Sequence, residues 1–262
     1  TRPQGLTDFT LFRRIIDEYV EENPKQAVHS ECWLHHFGES LVHPAFDRFV
    51  AYASARGVFT ALSLNPLMLK RPTALALLRA GPGKLYLSLD GHDDASFERI
   101  RGVKDAYGPS VRNLLAFLDL KRSFRSTVRV CVSMVHFGAN TRSIARMRAY
   151  WTGLDGVDEF IDKAFVTWDG NAPDVNRLDD TPPPAPKDHV TCRFPWTRLT
   201  VTWDGDVVPC CYDYDKRYVL GNVAHQSLKA IWNGEPMRRL RREFLDGAVA
   251  NPLCRNCAYL RA

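Results

Sequence analysis

The sequence predicts an α/β fold built on a parallel sheet, followed by a small cysteine-rich domain. Up to about residue 170, short apolar segments alternate with segments whose apolar residues recur at helical spacing. Repeated strand–helix units of this kind form parallel sheets with their helices packed outside. A Pro- and Asp-rich stretch then breaks the pattern, and five of the seven cysteines follow it. We expect a sheet domain over residues 1–170, a linker over 171–189 and a cysteine domain over 190–262.

The elements of the sheet domain follow from these two periods. Helices are predicted where apolar residues lie three or four apart, over residues 9–22, 44–55, 73–80, 96–100, 111–120 and 141–151. Strands are predicted over the short apolar runs at residues 27–35, 58–64, 84–89, 127–135 and 159–168. The fourth of these runs is rich in β-branched residues, and Gly81-Pro82-Gly83 separates a predicted helix from the strand that follows it.

The C-terminal segment predicts a hairpin followed by two helices. Strands over residues 196–202 and 207–211 flank the turn residues Asp204 and Gly205. Ser227 is a typical helix N-cap, and Pro236 is typical of the first turn of a second helix. This segment is too short for a large apolar core, so a bound metal is expected to stabilise it.

The cysteine spacing predicts a four-thiolate metal site. Cys254 and Cys257 are two residues apart, so one turn presents both sulfurs, and Cys192 and Cys210 would supply the other two ligands. Spacing alone leaves zinc and an iron–sulfur cluster equally open. Cys211 competes with Cys210, because adjacent strand residues point to opposite faces and only one should reach the metal.

Composition narrows the class of protein. The net charge of +5 is mild and spread along the chain, which does not favour a nucleic-acid-binding function. We find neither a membrane-spanning stretch nor a signal-peptide pattern. A Cys-x-x-Cys pair in a chain with few cysteines favours metal binding in a reducing compartment, so a cytoplasmic location is expected.

Polar residues gather at the ends of the predicted strands, where parallel sheets bind their ligands. His35, His36 and His136 are weak candidates for a substrate ligand or a catalytic base. A structural histidine is an equally good interpretation of each. Cys32 and Cys131 lie in apolar strands and are expected to be buried packing residues.

Together these segments resemble the radical SAM enzymes that carry a C-terminal SPASM or shorter twitch domain. Phe37-Gly38-Glu39-Ser40-Leu41 resembles the family's Gly-Gly-Glu-Pro-Leu segment, and Ser88-Leu89-Asp90-Gly91 its Ser-x-Asp-Gly segment. Leu62–Asn65 lies where the family has a Thr-Asn-Gly strand end, and Ile100-Arg101-Gly102 is similar to its Ile-Arg-Gly. The most specific similarity runs from Cys192 to Cys257.

The resemblance implies a partial (β/α) barrel with S-adenosylmethionine (SAM) across its strand ends. Backbone groups at Gly38 and Glu39 would hold the SAM amino group, and Ser88 with Arg129 or Ser133 would face its ribose and carboxylate. Ser63, Asn65 and Asp90 complete the implied SAM site. The four cysteines would hold an auxiliary [4Fe–4S] cluster, and the family's Gly-x4-Cys spacing after Gly205 favours Cys210 over Cys211.

The chain also departs from the family pattern. The Cys-x3-Cys-x2-Cys loop that binds the SAM cluster is absent, and we expect it, with the first barrel strand, upstream of Thr1. Phe37 stands in place of a glycine, Ser40 in place of a proline and Pro66 in place of a glycine. SAM contacts in these loops are therefore expected to differ in detail.

The resemblance implies generation of a 5′-deoxyadenosyl radical that abstracts a hydrogen atom from the substrate. The four-cysteine set is similar to that of a radical SAM dehydrogenase acting on an aminocyclitol, so oxidation or epimerisation of a sugar or aminocyclitol is expected. A peptide substrate and a non-catalytic cluster-binding or zinc-binding scaffold are the alternatives. Expected partners are a small-molecule substrate and a flavodoxin- or ferredoxin-like electron donor, with no nucleic acid and no membrane.

Overall fold

The computed structural model describes residues 3–136, 140–171 and 191–261. Its internal contacts divide the chain into two compact units. The sheet unit comprises Asn23–Phe165, and the cysteine unit comprises Thr1–Glu22 together with Val166–Ala262. Helix α1 (Phe9–Glu22) therefore groups with the C-terminal segment. The predicted boundary at residue 170 had assigned it to the sheet domain. Nearly all of the predicted linker lies outside the described residues.

The sheet unit contains a five-stranded sheet in which every neighbouring pair of strands is parallel, as the sequence predicted. The strands lie in chain order: β1 (Cys32–Trp33), β2 (Thr60–Leu64), β3 (Lys84–Ser88), β4 (Arg129–His136) and β5 (Glu159–Ala164). The helices are α2 (Pro24–His29), α3 (Phe46–Ala55), α4 (Arg71–Ala80), α5 (Asp94–Arg101), α6 (Tyr107–Ser123) and α7 (Thr141–Thr152). Short 3-10 helices follow β1 and β2 at Ser40–Val42 and Pro66–Met68.

The two faces of this sheet differ in chemistry. Because side chains alternate along a strand, every second residue packs against the helices. That helix-covered face holds the main core, which includes Leu62, Leu85, Val130 and Val132. The opposite face, which we call the polar face, includes Ala61, Ser63, Lys84, Tyr86, Ser88, Cys131, Ser133, Glu159, Ile161 and Lys163. Both faces of these strands are shielded from solvent, yet one of them carries polar side chains. This combination indicates a ligand-binding surface.

The prediction of one strand over residues 27–35 was wrong in its first half. Pro24 lies in the first turn of α2, and only Cys32 and Trp33 form β1. Proline is favoured there because its fixed φ suits a helix and its missing N–H needs no partner. Strand β5 also ends at Ala164, short of the predicted Trp168.

The cysteine unit is a small three-stranded sheet with short helices. Its antiparallel strands are β6 (Thr200–Val201), β7 (Asp206–Val208) and β8 (Gly221–Asn222), and its further helices are α8 (Phe194–Thr197), α9 (Leu228–Trp232), α10 (Glu235–Leu245) and α11 (Ala258–Arg261). The predicted hairpin and both helices are confirmed. The third strand was missed, the strand predicted over 207–211 stops at Val208, and residues 194–197 are helical where a strand was expected from Trp196.

Helix α1 is tied into the cysteine unit by its polar side. Arg14 donates to the carbonyls of Ala224 and Gln226 at 3.2 and 3.1 Å. The Glu18 carboxylate accepts from the backbone N–H of Leu228 at 2.7 Å, at the start of α9. Apolar contacts add to this, since Leu11 and Ile15 pack against the core of the unit. No helix in the described part of either unit has the length and apolar character needed to cross a membrane.

Candidate functional site

Three serines of the sheet unit form a row across neighbouring strands on the polar face. The Oγ atoms of Ser63 and Ser88 are 3.2 Å apart, and those of Ser88 and Ser133 are 3.4 Å apart. Ser133 is buried and the other two are partly buried. The row lies toward the carboxyl ends of β2, β3 and β4, where a parallel sheet binds its ligands. The structure thus brings together three of the predicted SAM-site residues.

Glu39 holds the loop after β1 against the end of β2. Its carboxylate accepts from the backbone N–H groups of Leu41 and Asn65, at 3.0 and 2.7 Å. Burial raises the pKa of Glu39, against the two backbone hydrogen bonds that lower it. Asn65 in turn caps the next 3-10 helix by accepting from the Leu67 N–H. The side chains of Glu39 and Asn65 are thus engaged in hydrogen bonds within the loops. A ligand at these positions would therefore contact their backbone groups.

Asp90 is also a loop anchor. This buried carboxylate accepts from the Val135 N–H at 2.7 Å and pairs with Arg101 at 2.6 Å. It therefore ties the end of β3 to β4 and to helix α5. A carboxylate that is already paired and hydrogen-bonded in this way positions the strand ends and does not reach outward for a ligand.

The loop at Gly38 leaves backbone exposed. Gly38 itself is exposed, and an added Cβ would meet only the His36 carbonyl oxygen, at 3.9 Å. The neighbouring Phe37 adopts a φ of +49°, a conformation that favours the glycine found there in the family pattern. Ser40, in place of the family's proline, donates to the Leu34 carbonyl at 3.0 Å. The loop keeps a backbone suited to ligand binding while carrying different side chains.

Arg129 does not join the serine row, contrary to its predicted place in the SAM site. It is the first residue of β4 and is exposed, about 13 Å along the strand from Ser133. There it lines a shallow cavity with Gly81 and Gly83 at the amino edge of the sheet. The sequence offered Arg129 and Ser133 as alternatives. Of the two, only Ser133 lies toward the carboxyl end of β4, where the serine row is.

His35 is partly buried beside the polar face. Its Nδ1 lies 3.3 Å from the Ser63 N–H, which donates to it, and its ring meets Trp33 at 5.4 Å. Burial lowers the pKa of His35 to about 4, and the charges of Lys163 and His36 act in the same direction. A neutral imidazole with an accepted backbone hydrogen bond fits the structural interpretation of this histidine best.

The lowered pKa of His35 predicts a loss of stability in mild acid. Between pH 6.5 and 4 the unfolded chain binds a proton that the folded chain does not, so the free energy of unfolding falls as pH falls through this window. His35→Asn, which keeps an acceptor for Ser63, should remove about 2 kcal/mol of the difference between pH 7 and pH 4.5. Urea unfolding at the two pH values measures this. His136→Asn, at a histidine whose side chain is 38% exposed, should keep the wild-type difference.

The other two histidines have different surroundings. His136 has the parity of the core residue Met134, so it points to the helix-covered side. There its Nε2 lies 2.8 Å from the Thr141 hydroxyl and its Nδ1 4.0 Å from Asp162. His36 packs its ring edge-on against Phe37. The structure thus places His136 away from the serine row, which removes it as a candidate base there.

Below the serine row lies a charged and aromatic layer that sequence reasoning missed. The rings of Trp33 and Tyr86 stack at 4.5 Å, and the Tyr86 hydroxyl donates to Glu31 at 2.8 Å. Lys84 pairs with Glu159 at 2.8 Å and with Glu31 at 3.4 Å. Burial alone would lower the pKa of Lys84, but the hydrogen bonds to Glu159 and Tyr86 raise it. The alternation of Lys84, Tyr86 and Ser88 in a buried strand was the signal for this layer.

Lys163 lies on the same polar face, near the end of β5. Its Nζ is 5.5 Å from the centre of the Tyr86 ring. Burial lowers the pKa of Lys163, and the charge of Asp90 acts against that shift. Unlike Lys84, it has no carboxylate within ion-pairing distance in the ranges the structure describes. A partly buried ammonium without a nearby counter-ion is costly, so this face is chemically suited to an anionic ligand group.

In the cysteine unit, the four predicted metal ligands gather in and around one core. Cys210 belongs to the buried core with Val207 and Leu220, and Cys192 and Cys254 pack against that core. The pKa of Cys254 is raised to about 12, chiefly by burial, with the neighbouring Cys257 and Cys192 thiols contributing. Burial likewise raises the pKa of Cys210, with Cys254 and Cys257 again contributing. These mutual effects place the four thiols close together, although Cys210 and Cys254 are 44 residues apart in the sequence.

Cys210 and Cys211 have different surroundings. Cys210 is buried and Cys211 is exposed. Neither lies in a strand, because β7 ends at Val208, so the predicted strand alternation is not what separates them. Instead they open a tight turn in which the Asp213 N–H donates to the Cys210 carbonyl at 3.3 Å. The arrangement supports Cys210 as the ligand.

The donor set fits a thiophilic metal group. Buried thiols are poor isolated anions, and binding to iron or zinc deprotonates them, so the raised pKa values suit a metal-dependent site. Across residues 3–136, 140–171 and 191–261, no three His, Cys, Asp or Glu side chains are arranged to hold a single metal ion. The cysteines therefore lie in one region, but their sulfur atoms do not have the geometry that coordinates a single ion.

Comparison with known proteins agrees with both halves of this description. The family model of the SPASM domain, an iron–sulfur cluster-binding domain, matches residues 192–258 and so includes all four cysteines. The S-adenosyl-L-methionine-dependent 2-deoxy-scyllo-inosamine dehydrogenase of Niallia circulans is 32% identical over 79 residues, 30% of this chain and only 32% of that protein. The tungsten-containing aldehyde ferredoxin oxidoreductase cofactor-modifying protein of Pyrococcus furiosus is 24% identical over 293 residues, covering 97% of this chain and 80% of the relative.

A solved structure shares the fold over nearly the whole chain. The crystal structure of BtrN in complex with AdoMet and 2-DOIA superimposes with a TM-score of 0.61 at 18% identity, covering 97% of this chain and 81% of that one. At this identity the likeness concerns the fold. Residues 192–258 thus match the SPASM domain, and the chain is similar to radical SAM proteins that carry such a domain.

Proposed function

We propose that this protein is a radical SAM enzyme that oxidises a small polyol or aminocyclitol. The observation that carries the proposal is the SPASM match over 192–258, within which the structure gathers four cysteines around one core. A bound SAM–cluster pair would supply a 5′-deoxyadenosyl radical to take a carbon-bound hydrogen atom, and an auxiliary [4Fe–4S] cluster would accept the remaining electron as the hydroxyl loses its proton. Cys192, Cys210, Cys254 and Cys257 would hold that auxiliary cluster.

In the sheet unit, the polar face would hold SAM. The Ser63–Ser88–Ser133 row supplies hydroxyl groups for a sugar, and the exposed backbone at Gly38 can accept from an amino group. Lys163 would pair with the methionine carboxylate, a role that Arg129 cannot take from the amino edge. Lys84 remains occupied by Glu31 and Glu159.

The role of Lys163 is testable against a matched lysine on the same face. Lys163→Met should weaken SAM binding about tenfold or more, since a charged hydrogen bond contributes about 1.5–3 kcal/mol. Decarboxylated SAM should bind the wild type and Lys163→Met alike. Lys84→Met, which removes a paired cation, should leave SAM affinity within about threefold even if it lowers stability. Equal SAM affinity of the Lys163→Met variant and the wild type, measured by equilibrium dialysis, would contradict the assignment.

The reaction is tested on the protein as encoded, purified without oxygen. It should contain iron and acid-labile sulfide and, when reduced, should convert SAM to methionine and 5′-deoxyadenosine. Aminocyclitols are then assayed for conversion to a ketone, with one 5′-deoxyadenosine released for each substrate oxidised. Stoichiometric zinc without sulfide would favour a zinc-binding scaffold. If the protein converts peptides but no polyol, it is a peptide-modifying enzyme instead.

A further inference from the structure

Two arginines of the cysteine unit stand at the surface beside Cys192. Arg193 follows this cysteine directly, and Arg198, five residues after Arg193, is the C-cap of helix α8. Both are exposed, and neither pairs with a carboxylate in the described part of the chain. Trp196 lies in helix α8 between them, Tyr259 stacks on Phe194 of the same helix, and each is 40% exposed. We call these four residues, Arg193, Trp196, Arg198 and Tyr259, the arginine patch.

Aromatic side chains connect this patch with the core that contains the cysteines. The Tyr259 ring stacks on Phe194 at 4.8 Å, and Phe194 meets Tyr212 edge-on at 6.5 Å. The Arg198 guanidinium lies 3.8 Å from the centre of the Phe194 ring. Phe194 is itself a member of the core that includes Cys210. Only one or two layers of side chain therefore separate the arginine patch from the thiols.

The acidic side chains described in the cysteine unit do not neutralise the positive charge of this patch. Arg193 is the direct chain neighbour of Cys192, and Arg198 lies on Phe194, a member of the core against which Cys192 packs. The acidic groups that act on the cysteines have other partners: Asp169 pairs with Arg217 at 2.8 Å, and Glu243 accepts from the Asn251 N–H at 3.0 Å. Residues 191–262 contain eleven Lys and Arg against seven Asp and Glu.

We infer that the arginine patch is the docking surface for an acidic one-electron carrier protein, which exchanges electrons with the cluster bound by the four cysteines. This inference rests on the proposed function and adds the place where the carrier binds. Exposed aromatic residues near two cations that pair with no carboxylate of the described residues suit a small, transient, charge-steered contact of the kind that redox partners make. A position beside a metal ligand keeps the electron path short.

The test measures binding rather than turnover. An acidic flavodoxin is titrated into the anaerobically purified full-length protein, and its affinity is measured by calorimetry at low and at high ionic strength. The double variant Arg193→Glu/Arg198→Glu should bind about tenfold more weakly at low ionic strength, and the difference should shrink at high salt. Arg193→Glu alone should show part of the loss. The Arg193 side chain makes no ion pair with the described residues, so this variant keeps the Arg198–Phe194 contact and helix α8 in place.

The control changes net charge equally in the sheet unit. Lys70→Glu/Arg79→Glu reverses two exposed basic residues there and should leave flavodoxin affinity unchanged. Iron and sulfide content, measured on every sample, confirms that the cysteine unit is intact. The docking surface is overturned if the Arg193→Glu/Arg198→Glu variant contains its cluster and still binds flavodoxin as tightly as the wild type. It is also overturned if the control variant loses as much affinity as the Arg193→Glu/Arg198→Glu variant. Absence of iron and sulfide from the wild type would instead overturn the proposed function.

Discussion

Cys210→Ala is expected to lose the auxiliary cluster, and Cys211→Ala is expected to keep it. Cys210 is buried among Val207 and Leu220 and interacts with Cys254 and Cys257, whereas Cys211 is exposed. Because metal binding in so small a unit is also folding energy, the loss should lower the unfolding temperature of the cysteine unit as well as its iron content. If the full-length protein holds two clusters, iron should fall by about half.

The comparison of the two neighbours controls for packing. Removing one buried sulfur costs about 1 kcal/mol through packing alone, far less than the loss of a ligand to a structural metal group. Iron, sulfide and the visible absorption of both variants are measured after anaerobic purification. Retained iron in Cys210→Ala together with loss in Cys211→Ala would show that the turn after Val208 presents the second thiol instead.

Gly91→Ala is expected to be the most damaging small substitution in the sheet unit. A Cβ at Gly91 would stand 2.8 Å from the backbone nitrogen and Cα of Phe97, closer than real Cβ atoms approach backbone. Helix α5 would have to move away from the end of β3, straining the Asp90–Arg101 pair that links them. We expect a loss of about 2–3 kcal/mol in the free energy of unfolding.

A second glycine calibrates this expectation. Gly102, which ends α5, has a φ of +69° and nothing within 4 Å of an added Cβ, so Gly102→Ala should cost only about 1 kcal/mol for its backbone conformation. Urea unfolding of both variants ranks the two costs. A Gly91→Ala protein as stable as the wild type would mean that α5 shifts without loss of packing.

Periodicity was enough to predict the parallel sheet, since each buried strand was an apolar run between helical segments. It failed at residues 27–31, where Pro24 nucleates a helix that the apolar pattern does not distinguish from a strand. Motif resemblance indicated the three serines, but it left Arg129 and Ser133 as alternatives on β4, because a motif gives a strand and not a position along it. No sequence pattern indicated that Lys84 is paired and Lys163 is not, since that depends on which strands become neighbours.

The cysteine spacing predicted a shared thiolate site, but the surroundings of each thiol required the fold. The strand alternation used to separate Cys210 from Cys211 does not apply, because β7 is only three residues long. Burial within a turn separates them instead. The third strand, Gly221–Asn222, escaped prediction because two residues carry no period.

The pairing of helix α1 with the C-terminal segment has a consequence for biosynthesis. Arg14 and Glu18 find their partners 210 residues later, at Ala224 and Leu228. The helix therefore leaves the ribosome long before its partners, and the sheet unit, a continuous segment between them, can fold first. Leu11 and Ile15 stay without their core until the last quarter of the chain is made. A fragment that begins after Glu22 would keep every cysteine of the chain yet lack one wall of the core around them.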